Sequence, residues 1–222
     1  MILETERLIL RRWKESDAES LFEYAKDADI GLPAGWPPHK SVEESLDIIR
    51  TVFCGPYCFA ICEKDNNRAI GAIELKTKDR TDMTDKDDEC ELGYWLGKQF
   101  WGIGYVPEAA RELLRFGFQA LGMTTVWCGF YEGNEKSKRV QETLGFIYQY
   151  TTENLEVTLT NETRTEHTNL MTKGRWQEIT LFRNQKKTLD TFLEKKAISQ
   201  AQYNKSLGDL CLGDGYARRG IM

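Results

Sequence analysis

Residues 89–107 read ECELGYWLGKQFWGIGYVP, and they join two kinds of local structure. ECELGYWLG reads as a strand, and KQFWGIGYVP is a loop built around Gly102 and Gly104. EAARELLRFGFQALG then fits a long helix, with Ala110, Leu113, Leu114 and Leu121 as its buried stripe. Pro107 suits the first turn, which needs no amide hydrogen there, and Gly122 suits a C-terminal cap. TTVWCGFY, at 124–131, is the next strand.

Glycines at 102 and 104 let the backbone approach a ligand, and amide hydrogens point outward at the positive end of the helix dipole. That is a diphosphate cradle by construction, although a tight structural turn would use the same residues. A mononucleotide P-loop needs Lys-Ser/Thr after the second glycine, where Tyr105-Val106 stands. A dinucleotide fingerprint needs a third glycine where Pro107 stands, and an acidic residue farther on at a strand end. Neither is met. The pyrophosphate of coenzyme A remains as a phosphate ligand.

Upstream, residues 5–12 alternate as a strand. Ser16 with Glu19, and Ser41 with Glu44, predict capping boxes for two helices. Between them runs the Gly/Pro-rich loop GLPAGWPPHK (31–40). Leu46, Ile49 and Val52 stripe the second helix, which ends at Gly55-Pro56. Strands are expected at 57–63 and 69–77, and KDRTDMTDKDDE (78–89) as a solvated hairpin loop. That run lacks the sixth-position glycine and alternating ligands of a calcium loop. Downstream, NEKSKRVQETLGF gives a short helix stopping at Gly145, and strands follow near 146–151 and 155–172. Beyond Trp176 the character changes. Leu189, Phe192 and Leu193 predict a short amphipathic helix, and Ser199 with Gln202 caps another. The tail, GDGYARRGIM, reads as loose.

The 222 residues suffice for one full domain and an appendage, with a core that needs no disulfide or structural metal. Acidic residues number 35 against 30 basic, which argues against a nucleic-acid-binding protein. No stretch approaches the roughly 20 apolar residues of a membrane span, and the N-terminus lacks a signal-peptide core. Six cysteines in a chain of this kind predict reduced cytosolic thiols and a cytoplasmic location. Cys54, Cys58 and Cys62 share a helical spacing, but Gly55-Pro56 breaks the helix that would align them, so no metal is assigned.

The run from 89, followed by Asn134-Glu135-Lys136-Ser137 and Leu144-Gly145-Phe146, resembles the GNAT acetyltransferases, and most closely their RimJ/RimL-type branch. ETERLILRRW and NLMTKGRW sit where that branch has its opening and closing strands, so the resemblance spans residues 1–176. It implies an α/β (α+β) fold: a mixed, mostly antiparallel sheet with flanking helices, whose central parallel pair, here 89–97 and 124–131, splays apart. The 1–176 portion would be the acetyltransferase domain, and 177–222 a helical hairpin and tail.

The resemblance also implies acetyl-CoA as co-substrate and direct attack by a primary amine, on a protein N-terminus or a small molecule. Backbone amides of Gln99, Phe100, Trp101, Gly102, Ile103 and Gly104 would hold the pyrophosphate. Tyr94, Trp95 and Leu96 would pair with the pantetheine arm and supply the oxyanion donor. Many relatives place a tyrosine five residues before the phenylalanine of the Gly-Phe pair; that position is Gln141 here. The branch instead implies Ser137 for the leaving thiolate and Asn134 for a pantetheine contact. Glu91 is the first candidate for the base that takes the amine proton, ahead of Glu89 and Glu74. Trp36 and His39 are expected to line the acceptor pocket, and His167 to be exposed. The competing expectation is a coenzyme-A-binding interaction protein that works through its C-terminal hairpin. The hairpin, residues 184–210, would dock on the main domain, a second copy or another protein.

Overall fold

A computed structural model describes residues 1–213; the tail, from Asp214 on, lies outside the described residues. Eight strands form one sheet in the order β1-β2-β3-β4-β5-β6-β8-β7. They are β1 (Ile2–Glu4), β2 (Leu8–Arg11), β3 (Cys58–Glu63), β4 (Ala69–Thr77), β5 (Glu89–Leu96), β6 (Thr125–Tyr131), β7 (Ile147–Val157) and β8 (Glu162–Thr172). Strands β1 to β5 pair antiparallel in succession, as β7 does with β8. Among the described residues β5 and β6 form the parallel pair, through Glu89↔Thr125, Cys90↔Val126 and Glu91↔Trp127. Beyond Glu91 they part. β5 stays paired with β4 out to Leu96↔Gly71, so its other edge from Leu92 onward faces a gap.

The described residues also form seven α-helices: α1 (Ala18–Ala25), α2 (Ala28–Gly31), α3 (Val42–Thr51), α4 (Tyr105–Gln119), α5 (Glu135–Leu144), α6 (Lys173–Glu194) and α7 (Gln200–Gly213). Helices α1 and α3 pack together over Leu21, Ala25 and Ile49, with Trp13, Trp36 and Trp95 closing the cluster. Helix α4 buries Ala109, Ala110, Leu113, Leu114 and Phe118 and lies on β4 and β5. Its Gly117 lets it come close: a Cβ there would stand 3.0 Å from Leu75 Cδ1.

Several expectations shift. The entry to α1 is held not by Ser16 and Glu19 but by Asp17, whose carboxylate accepts from the Lys14 amide (2.9 Å) and pairs with Arg11 (2.7 Å). Ser41 does accept from the Glu44 amide (3.2 Å). The hairpin expected to turn near 152–154 turns instead after Val157. Asn154 takes a left-handed φ of 56° at a register break between Thr152 and Leu155, so a turn-like residue marks a bulge. The short helix around Leu189 is part of the 22-residue α6. The chain divides into two compact units at Leu170/Met171. In the second unit α6 and α7 form a hairpin whose capping box forms in both directions: Gln202 N to Ser199 Oγ (3.2 Å) and Ser199 N to Gln202 Oε1 (2.8 Å).

Candidate active site

The gap between β5 and β6 organises the site. Gly102 and Gly104 have φ of +78° and +85°, values that L side chains rarely adopt. The Phe100 and Trp101 amides are spent on the turn, donating to Gly97 and Lys98 carbonyls. From Gly102 to Val106 the amides find no acceptor among the described residues. The unpaired amides therefore begin three residues after Gln99, where the expected 99–104 segment starts, and run into the first turn of α4. A Cβ at Gly102 would meet nothing within 4 Å, so this face of the loop is open to a ligand.

The side chains ahead of it serve as props. Gln99 donates to Tyr24 Oη (3.4 Å), and Phe100 stacks edge-on against Tyr24 (5.8 Å between centroids). Trp101 donates its indole hydrogen to the Leu96 carbonyl (2.8 Å), tying the loop to the end of β5. Three cations flank the cradle. Arg7 is bound to Glu108 and Lys98 to Asp29, while Lys136 sits 3.8 Å over the Trp101 ring with no carboxylate in ion-pair range among the described residues. Unpaired amides, an open face and nearby cations fit the diphosphate of coenzyme A.

Strand alternation sends the residues of β5 to opposite faces. Tyr94 points toward α5, where its hydroxyl lies 3.0 Å from Ser137 Oγ. Asn134 caps α5, accepting from the Ser137 amide (3.1 Å), and its own amide reaches the Pro33 carbonyl (3.0 Å). Gln141, fully buried, donates to Ser137 Oγ (3.3 Å) and to the Gly129 carbonyl of β6 (3.0 Å).

The other face carries the carboxylates, and here the segment read as a solvated loop turns inward. Glu91 accepts from Lys76 (2.6 Å) and from Thr81 (2.7 Å). Glu89 accepts from Lys86, Thr84 and Trp127, and Glu74 from Arg80. All three carboxylates singled out from the sequence are thus buried and paired with cations. The one that sequence reasoning missed is Glu166, on β8 opposite Thr152. Its carboxylate has no hydrogen bond or ion pair among the described residues. Burial, then the charges of Glu91 and Asp82, outweigh Lys76 and push its carboxyl up to about 7. It lies directly over β6: a Cβ on Gly129 would stand 2.6 Å from Glu166 Oε1 and equally close to Met83.

Trp36 packs between His39 (5.5 Å) and Trp95 (5.9 Å), so it pins its loop to the α1–α3 cluster. His39 is half-buried, bonded to Ser45 Oγ (2.8 Å), and lowered in pKa by that burial. His167 is also half-buried, against Phe130 and Thr151. A cavity of about 550 Å³ opens beside these elements, lined among others by Leu32, Pro33, Tyr131, Asn134, Asn154 and Arg164. Among the described residues, no three potential metal ligands cluster, and no helix is long and apolar enough to cross a membrane.

Residues 7–147 match the family model described as the acetyltransferase (GNAT) domain, and the chain belongs to this family of acetyltransferase enzymes. It is 28% identical over 151 residues to the uncharacterized N-acetyltransferase YoaA of Bacillus subtilis (strain 168), spanning 65% of this chain and 82% of that protein. An acetyltransferase of the GNAT family from Bacillus anthracis superposes with a TM-score of 0.69 at 20% identity, over 78% of this chain and 99% of that one. A ribosomal-protein-S5-alanine acetyltransferase from Vibrio fischeri does so with a TM-score of 0.60 at 20% identity, over 79% and 98%. The fold is therefore the mixed, mostly antiparallel one with a single parallel pair. Members of the family use acetyl-CoA.

Proposed function

We propose that this chain binds acetyl-CoA in the gap between β5 and β6 and passes its acetyl group to a primary amine by direct attack, in a ternary complex. One observation carries this: Ser137 and Glu166 approach the same glycine of β6, Gly129, from the two faces of the sheet. Ser137 does so through Gln141, which holds the Gly129 carbonyl; Glu166 does so across the Cα.

The co-substrate supplies an activated acyl carbon. The cradle from Gly102 to Val106 holds the diphosphate, and the free edge of Tyr94–Leu96 pairs with the pantetheine, with Asn134 beside it. A backbone amide of that edge donates to the developing oxyanion. Glu91 keeps its place in the site as a buried charge held by Lys76 and Thr81, and Glu166 takes the proton from the attacking amine. An unpaired carboxyl near neutrality suits that task better than one bonded at both oxygens. Ser137 donates a hydrogen bond to the departing sulfur.

The acceptor enters from the cavity between the 32–34 segment and the β7–β8 hairpin, and Trp36 and His39 brace that entrance. The exposure of Leu32, Pro33, Glu132 and Thr163 along this cavity favours a peptide N-terminus over an enclosed small amine. Release of free thiol from acetyl-CoA, followed over N-terminal peptides, polyamines and aminoglycosides, tests both statements. Turnover with peptides supports the reading. Tight coenzyme binding without turnover on any amine overturns it.

A further inference from the structure

The hydroxyl of Ser137 does not stand alone. A serine oxygen has one hydrogen to give and two lone pairs. Gln141 Nε2 approaches Oγ at 3.3 Å and the Tyr94 hydroxyl at 3.0 Å. The direction of the Gln141 amide is fixed independently. Its oxygen accepts from Asn169 Nδ2 (2.6 Å) and its nitrogen donates to the Gly129 carbonyl (3.0 Å), so it is the NH₂ end that faces Ser137. Gln141 and Asn169 are both buried. Their contacts tie α5, β6 and β8 together around one hydroxyl.

We infer that Tyr94 and Gln141 are positioning residues, which together fill both lone pairs of Ser137 Oγ and so leave its single hydrogen to be donated to the sulfur leaving the acyl carbon. The inference rests on the acetyl-transfer function proposed above. Burial holds the Tyr94 phenol well above its ordinary pKa, so it remains an O–H donor across the working range. The reaction balances without a proton leaving the serine. The nitrogen–carbon bond forms as the carbon–sulfur bond breaks. Sulfur leaves with the electron pair, the amine proton passes to Glu166, and solvent later exchanges protons with both. Ser137 stabilises the thiolate by hydrogen bonding, which avoids forming an alkoxide.

A competing arrangement has the serine hydrogen turned onto the Tyr94 oxygen, with the phenol donating to the Ser137 carbonyl at 3.2 Å. It would leave the serine no hydrogen for the sulfur. The two arrangements predict opposite results for Tyr94→Phe. With Tyr94 as donor to the serine, Tyr94→Phe lowers kcat about tenfold and leaves the KM for acetyl-CoA unchanged, as loss of one oriented hydrogen bond would. With Tyr94 as a trap for the serine hydrogen, the same variant raises kcat.

A double-mutant cycle separates positioning from mere packing. In a Ser137→Ala background, Tyr94→Phe has no further effect if it acts through the serine; losses that multiply overturn the inference. Titration of bound coenzyme A, followed by ultraviolet absorption of its thiolate, gives a second readout without turnover. The wild-type protein lowers the pKa of the bound thiol below its value in free solution. Tyr94→Phe, Gln141→Leu and Ser137→Ala each reduce that shift, and an unchanged shift in all three overturns the inference. Absence of turnover in the wild-type protein would instead defeat the proposed function and leave the thiol titration to judge the hydroxyl pair.

Discussion

The glycine loop and the carboxylate face stand on either side of one gap, yet they are built on opposite principles. The loop is local. Two glycines at positive φ and a helix N-terminus, all within residues 102–106, create the donors, and the neighbouring aromatics only prop them. The carboxylate face is assembled from afar: Lys76 and Arg80 from around β4, Lys86 from the following segment, Glu89 and Glu91 on β5, and Glu166 on β8. Its logic is neutralisation with one exception. Three carboxylates receive cations, and the fourth receives none among the described residues. A lone carboxyl over Gly129 is the expensive feature of this fold, and an expensive feature kept at the centre of a site is the best candidate for its chemistry.

The sharpest way to break this contrast is Glu166→Gln. As the base, Glu166 should account for about a hundredfold or more of kcat. The wild-type pH profile of kcat/KM should rise through a limb near 7, and the variant should lose that limb. Stability should move the other way. A carboxyl whose folded pKa is raised binds its proton more tightly in the folded state, so stability falls as pH rises from the unfolded value toward 7. Thermal unfolding should therefore show Glu166→Gln gaining on the wild type from pH 4.5 to 7 and holding that gain above. If Glu91→Gln removes the pH limb and Glu166→Gln does not, the assignment reverses.

Gly104→Val tests the local side. A β-branched residue at φ +85° is strained in the folded chain, and its side chain would crowd the free amides and Arg7, whose Nη2 stands 3.6 Å from the Cβ position. Coenzyme affinity measured by calorimetry should fall at least tenfold, on the order of the 1–3 kcal/mol that such strain costs. Unchanged affinity would remove the loop from coenzyme binding.

The same contrast explains what could be read from residue order. Strand β5, the glycine loop and α4 follow from signals within a few residues: a proline in the first turn, glycines in the loop and an apolar stripe. Glu91 was visible because it stands beside that motif. Glu166 was not, since nothing near it in sequence marks it, and the hairpin that carries it was expected to turn several residues too early. Asn154 supplied that false turn; it sits at a bulge, and the chain reverses after Val157. The acidic run 78–89 misled in another way. Its charges suggested solvent, but Thr81, Thr84, Arg80 and Lys86 are held by buried carboxylates that only the folded sheet brings near. Charge composition describes a segment, whereas pairing depends on what lies opposite.

Thr81→Val probes that pairing at modest cost. It removes one of the two bonds to Glu91 and leaves Lys76 in place. A buried acceptor left short of a donor should cost about 1–3 kcal/mol in chemical unfolding. Turnover should change little if Glu91 is a held charge. A large loss of kcat with intact stability would return Glu91 to the chemistry.

The smallest expected effect separates the cations around the loop. Arg7 and Lys98 already have carboxylate partners, so their charge is largely spent within the protein. Lys136 sits over the face of Trp101, with no carboxylate in ion-pair range among the described residues, and can turn toward a phosphate. Because it is exposed, solvent and salt screen it, and a single such contact contributes little. Lys136→Ala should weaken coenzyme A binding about threefold at low salt, with the difference shrinking as salt rises. Dephospho-coenzyme A, which lacks the ribose phosphate, sharpens the measurement. If the lysine meets the diphosphate at the cradle, the variant loses as much affinity for this ligand as for coenzyme A. If the loss disappears, the charge serves the ribose phosphate instead, and the diphosphate rests on backbone amides alone.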